Sequence, residues 1–192
     1  MIAVAERVFA LLALVAVVVA IATAFALVRR RVPDWLREDV ALPLATAIAA
    51  VATGGSLLAS EVAGYVPCVL CWYQRIAMYP LVIVLGVASA RRDAEVWRTA
   101  LPLSAVGAGI AAWHVAIERW PSLGSEVCDP AAPCALRWVE EFGFLTLPTM
   151  ALIGFVAIAV LSLAARRSHT PDHVTPNPPD TAAADTDATP TA

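Results

Sequence analysis

Five apolar runs, each near the length of a membrane crossing, limit what this chain can become more than any other feature. They cover 8–28, 40–63, 76–90, 101–117 and 145–165. A helix needs roughly 20 apolar residues to cross the hydrocarbon core, within a range of about 17–25. The third run is short as it stands and reaches that length only if 71–75 opens the helix. The chain of 192 residues is 60% hydrophobic, against about 45–50% for soluble domains, and the excess lies in these runs. That excludes a large soluble core. In lipid the backbone must satisfy its own hydrogen bonds, so each run reads as a helix. The expectation is an all-α membrane protein, a four-helix transmembrane bundle with one additional N-terminal transmembrane helix. The divisions are 1–39 for that first helix and a linker, 40–167 for the core, and 168–192 for a tail.

Arginine sets the expected orientation. All basic residues are Arg. They cluster at Arg29, Arg30, Arg31 and Arg37, at Arg91, Arg92 and Arg98, and at Arg166 and Arg167. Five crossings put these clusters on one side. Arg7, Arg119 and Arg137 are scattered on the other, with Arg75 near its edge. The positive-inside rule then makes this a multi-pass cell-membrane protein with its N-terminus outside and its C-terminus cytoplasmic. The first run is longer than the roughly 7–15 residues of a signal-peptide core and lacks a basic leader, so it is expected to stay as an anchor. The tail is rich in Pro, Thr, Asp and Ala and is expected to be disordered. Its His169 and His173 have no helix to hold them as metal ligands. The net charge of −3 owes much to that tail, and no basic patch suggests nucleic acid.

The four cysteines, Cys68, Cys71, Cys128 and Cys134, all fall on the outer side, in two close pairs. Disulfides persist outside the reducing cytosol, so an even count on that face points to thiol–disulfide chemistry. The first pair reads Pro67-Cys68-Val69-Leu70-Cys71 and lies where the third helix must begin. Proline suits the start of a helix. Thiols in a first turn meet free N–H groups and the positive end of the dipole, which favour thiolate. Arg75 follows Cys71 by one turn on the same face. It is either a partner for that thiolate or an interfacial Arg reaching for headgroups. The second pair, Cys128 to Cys134, encloses Pro130 and Pro133 in a stiff loop. It is either a structural staple or half of a relay, and two local disulfides are expected in the oxidised protein.

Other polar residues near this face are fewer. His114 lies near the outer end of the fourth span, where an ionisable group carries a raised functional prior. Glu61 reads as interfacial, and Trp72, Tyr73 and Trp120 suit an aromatic belt. Leu136, Val139 and Phe142 recur at helical spacing, giving either a short helix lying on the membrane surface or a plain amphipathic loop.

These residues resemble the disulfide bond formation protein B (DsbB) family of quinone-reducing thiol oxidases. The likeness rests on Pro67-Cys68-Val69-Leu70-Cys71 with Arg75, on His114 followed by Trp120-Pro121 and Cys128, and on Gly143-Phe144-Leu145-Thr146-Leu147-Pro148. The resemblance implies that Cys128 takes the mixed disulfide with an extracytoplasmic thioredoxin-fold thiol oxidase. Cys134 would then exchange with Cys68, and Cys71 would be the thiolate that meets the quinone. It also implies that Arg75 and His114 bind that quinone, a ubiquinone or menaquinone of the membrane pool. A partner–oxidase–quinone system of this kind keeps a bacterial periplasm oxidising. The second pair matches the short-loop branch of the family, and the first span is extra to its four-helix core.

Two rivals remain to compare. Vitamin K epoxide reductase-like thiol–quinone oxidoreductases carry the loop pair before the CxxC pair, and here CxxC comes first. A structural zinc-binding membrane scaffold would use all four cysteines, but the five-residue gap with two prolines suits zinc poorly. No metal is expected.

Overall fold

The structure, a computed structural model, describes residues 2–30, 38–124 and 127–168. It contains five long apolar helices: α1 (Ile2–Val28), α2 (Glu38–Leu57), α3 (Val69–Arg91), α4 (Trp97–Arg119) and α5 (Leu147–Ser168). Each is long and apolar enough to cross a membrane. Helices α2, α3, α4 and α5 pack in a ring in which each touches its neighbours, and α1 lies against α5 from outside. The ring runs up and down, the arrangement that a short link such as 92–96 between α3 and α4 favours. The core is built from Leu42, Leu81, Leu85, Phe155, Ile158 and Leu161, all fully buried. Gly107 lets α4 approach α5, since a Cβ there would stand 2.3 Å from the Phe155 ring.

The two ends of the bundle differ in chemistry. At one end Arg167 donates to the Leu27 carbonyl, Arg92 pairs with Asp39 at 3.3 Å, and the Arg166 guanidinium lies over the Trp97 ring. The other end carries the cysteines and the first residues of α1, where the Tyr65 hydroxyl donates to Glu6. The arginine clusters that the structure describes therefore share an end, as five crossings require. The 31–37 stretch with Arg31 and Arg37, and the tail with His169 and His173, lie outside the described residues.

Several boundaries moved. Helix α1 begins at Ile2, ahead of the apolar run, because Glu6 and Arg7 interrupt hydropathy without interrupting backbone hydrogen bonding. Helix α3 begins at Val69, the early start that its length demanded. Helix α2 ends in a π-helical turn, Leu58–Val62. The surface helix that was one option for Leu136, Val139 and Phe142 does not form. That stretch is irregular, and Glu140–Glu141 (β1) pairs antiparallel with Leu145–Thr146 (β2). The tight turn between them uses positive φ at Phe142 and Gly143, a cheap conformation only for the glycine. Val139 alone of the three is buried.

Candidate functional site

The site begins with the way α3 starts. Pro67 holds its predecessor extended, and Cys68 follows with φ −72° and ψ 173°, the extended conformation of an N-cap residue. Its sulfur takes the place of the usual hydroxyl and accepts from the Cys71 backbone N–H at 3.4 Å. Cys71, within the first turn, brings its own sulfur to 3.2 Å from that of Cys68. The pair stands as two thiols, and of the two local disulfides expected only Cys128–Cys134 is closed.

The open pair is electrostatically unequal. The hydrogen bond shared with the Cys71 thiol holds the Cys68 thiol well below its ordinary value, at about 4. His114 and the Cys71 backbone N–H pull the same way, while burial opposes them. Negative charge is therefore best held at Cys68, the N-cap itself. The Arg75 guanidinium, expected beside a Cys71 thiolate, is held by α2. Its Nε donates to Ser56 Oγ and its Nη2 to the Ser56 carbonyl, each at 2.9 Å, and it lies 5.1 Å from the Trp72 ring centroid.

His114 sits between the two pairs. Its Nδ1 lies 3.0 Å from the Gln74 amide nitrogen, and its Nε2 lies 3.1 Å from the Cys134 carbonyl and 3.7 Å from Cys68 Sγ. If Gln74 donates to Nδ1, the ring's proton sits on Nε2, aimed at Cys134 and Cys68. Cys68, Cys71, Cys128 and Cys134 belong to one apolar cluster with Leu70 and Ile117. Cys134 is buried within it, whereas Cys128 is half-buried at the surface. One helical turn beyond His114, the buried Glu118 accepts from Thr146 Oγ1 at 2.7 Å, and its carbonyl accepts from Arg137. Neither Gln74 nor Glu118 was picked out from sequence. Both carried a signal, since each is a polar residue in an apolar span, three or four positions from a residue already chosen.

On its other side the Cys68–Cys71 pair borders a cavity of about 330 Å³. Cys71, Gln74, Arg75 and Tyr79 lie along α3 on its wall, and most of the remaining lining is aliphatic. His114 is not part of that wall. The Tyr79 hydroxyl is buried and has no hydrogen-bond partner among the described residues. The donor atoms of Cys68, Cys71 and His114 lie within 4.8 Å of one another. A structural zinc site takes four ligands, and the Cys128–Cys134 disulfide removes two of the four thiolates a scaffold would need.

A bundle of membrane-crossing helices that gathers two cysteine pairs at one end is a multi-pass membrane protein of thiol–disulfide exchange. The chain belongs to the DsbB family, since the model of disulfide bond formation protein DsbB matches residues 38–165. It is 43% identical over 128 residues to a probable disulfide formation protein C of Bacillus cereus, covering 66% of this chain and 91% of that one. It is 41% identical over 114 residues to disulfide bond formation protein C of Bacillus subtilis, covering 59% and 83%. A probable disulfide formation protein of Metapseudomonas resinovorans is 39% identical over 127 residues, covering 65% and 88%. No solved structure gives a significant match. Helix α1 lies outside the matched residues.

Proposed function

We propose that this protein reoxidises an extracytoplasmic thioredoxin-fold thiol oxidase and passes the electrons, through its two cysteine pairs, to a membrane quinone. One observation carries the reading. The Cys68–Cys71 pair lies between the Cys128–Cys134 disulfide and an apolar cavity whose wall includes Cys71 and Arg75.

Each exchange balances. Two thiols of the partner become a disulfide as Cys128–Cys134 opens, with Cys128, the more exposed sulfur, taking the mixed bond. Cys128 and Cys134 close again by opening a Cys68–Cys71 disulfide, with the buried Cys134 meeting Cys68. His114 Nε2 lies between those two residues, where it can hold or return a proton. Cys68, held as the thiolate, and Cys71 then close, giving up two electrons and the one proton that Cys71 carries. A quinone held in the cavity would supply the two-electron acceptor, with the second proton of the quinol drawn from the medium.

The cavity residues fit such a group. Quinone carbonyl oxygens need donors, and Arg75 and the unpartnered Tyr79 hydroxyl supply them on the wall that holds Cys71. The ring and tail need apolar surface, which the rest of the lining provides. Arg75, steadied by Ser56 and Trp72, would hold the headgroup. The positive-inside rule puts the cysteine end outside the cell membrane and the arginine end in the cytoplasm. The test is anaerobic turnover of purified protein with a reduced thioredoxin-fold oxidase and a quinone. One quinol per partner disulfide is expected, and sustained partner oxidation without quinol, beyond the two disulfides the protein itself can carry, would contradict the reading. A cysteine label at Arg92 should be inaccessible from outside intact cells, and labelling there would reverse the orientation.

A further inference from the structure

Helix α1 has no counterpart in the matched family region, yet the structure does not leave it idle in the bilayer. Its Ala10, Ala13, Ala16 and Ala20 form a stripe of small residues that is buried against Leu145 of β2 and against Ile153 and Ala157 of α5. Small residues let two helices approach closely in lipid. Against α2, by contrast, α1 makes little contact. The space left between α1 and α2 is the cavity beside Cys71. Ile2, Phe9, Leu12, Val15 and Val19 line it from α1. From Ile2 to Val19 the helix rises about 25 Å, at ~1.5 Å per residue, which is most of a hydrocarbon core about 30 Å thick.

Two contacts fasten α1 across this space at the cysteine end. The Phe9 ring lies over Gly55 of α2, where a Cβ would stand 3.2 Å from it. The Tyr65 hydroxyl donates to Glu6, and the Tyr65 ring stacks on Trp138 at 5.0 Å, joining α1 to both cysteine loops. That hydrogen bond, with burial, raises the Tyr65 hydroxyl above its ordinary value.

We propose that α1 is a working part of the quinone site, forming the outer wall of a channel in which the isoprenoid tail lies between α1 and α2. This rests on the quinone reading above. The occupant follows from the shape and lining. A channel this long and apolar, with Arg75, Tyr79 and Cys71 on its wall, matches a polar ring carrying a long hydrocarbon tail. Four helices alone would leave the α2 side of that channel open to lipid. The fifth therefore gives the site selectivity for tail length that a four-helix core has no means to impose.

The experiment uses the full chain in lipid nanodiscs and two photoreactive quinones, one with a diazirine on the tail and one with an azide on the ring. The labelled peptides are mapped by mass spectrometry, with and without excess unlabelled quinone. The ring probe should label the α3 segment around Arg75, and the tail probe should label α1 and α2, both competed away by quinone. Competed ring labelling without competed tail labelling of α1 overturns the inference and leaves the quinone reading standing. Loss of competed labelling by both probes overturns both. Tail labelling of α1 that quinone does not compete marks a lipid pocket and also overturns the inference. In parallel, Phe9→Ala and Val15→Trp should each raise the KM for a long-tailed quinone about fivefold to tenfold, and that for a short-tailed analogue less. Val18→Trp, on the exposed face of α1 away from the channel, should change neither. Equal changes for both quinones with Phe9→Ala and Val15→Trp would contradict tail selectivity.

Discussion

The two cysteine pairs lie in one cluster and yet differ in what governs them. Cys128 and Cys134 close a disulfide in a loop stiffened by Pro130 and Pro133, with Cys128 half-exposed. Its reach is set by chain geometry. Cys68 and Cys71 stand open at the start of a membrane helix, and their chemistry is set by the surrounding field. The helix N-terminus and His114 act on Cys68, and the cavity lies against Cys71. In the proposed relay the Cys128–Cys134 pair meets another protein and the Cys68–Cys71 pair meets a small apolar acceptor.

The largest effects are expected at the cysteines themselves. Cys71→Ser should lower quinone reduction at least about a thousandfold, the scale seen when a nucleophile is removed, whether electrons come from protein or from a small dithiol. The Cys128→Ser, Cys134→Ser double variant should lose protein-driven turnover just as far. It should still reduce quinone with a small dithiol, because the core pair remains. Anaerobic quinol formation with each donor checks both, and equal losses with both donors in the double variant would erase the distinction between the pairs.

A smaller effect is expected at Arg75. Arg75→Leu should raise the quinone KM about tenfold or more, since a charge-assisted hydrogen bond is worth about 1.5–3 kcal/mol. Arg75→Lys should raise it less, because it keeps the charge but loses the planar fork. Exchange of Cys128 with the partner should stay near wild type in both. An unchanged KM would make Arg75 only a brace between α3 and Ser56.

The depressed Cys68 thiol gives a pH test. With its midpoint at about 4, Cys68 is already thiolate at pH 6, so its alkylation rate in the reduced protein should be nearly flat from pH 6 to 8. An ordinary thiol near 8.5 would speed up about tenfold per unit over that range. The sign is that of a group lowered by folding. The stabilisation it lends the reduced protein is complete above the unfolded value and disappears as pH falls through the folded one. His114→Ala should move the midpoint upward. A rate that climbs steeply through neutrality in the native protein would refute the assignment of charge to Cys68. Smallest of all, Gln74→Leu should slow exchange between the pairs only a few-fold, by freeing the His114 ring from its tether.

Much of this was legible in the sequence, for physical reasons that also mark where legibility stopped. Hydropathy found every span, because lipid leaves the backbone no other choice. The shortness of 76–90 even placed the start of α3 near its cysteines. What spacing does not report is which neighbour a side chain meets across helices. Ser56 lies on α2, nineteen positions from Arg75, so the guanidinium's engagement was invisible, as was the bridge from Gln74 through His114 to Cys134. The N-cap role of Cys68 was closer to the surface, since Pro67 already marked the helix start. Helix α1 was the hardest to read. It is apolar all round, so no polar face announces an orientation, and only the spacing of Ala10, Ala13, Ala16 and Ala20 hinted at a packed side.

The central claim is that electrons visit the pairs in series, loop first and core second. Rapid acid quench followed by alkylation and mass mapping tests it most directly. Fully oxidised protein is mixed with a reduced thioredoxin-fold partner, first without quinone and then with it. The account predicts that the Cys128 and Cys134 thiols appear before those of Cys68 and Cys71, and that quinol forms only after the core pair has been reduced. Quinol formed while Cys68–Cys71 stays oxidised, or a core pair reduced before the loop pair, would contradict it.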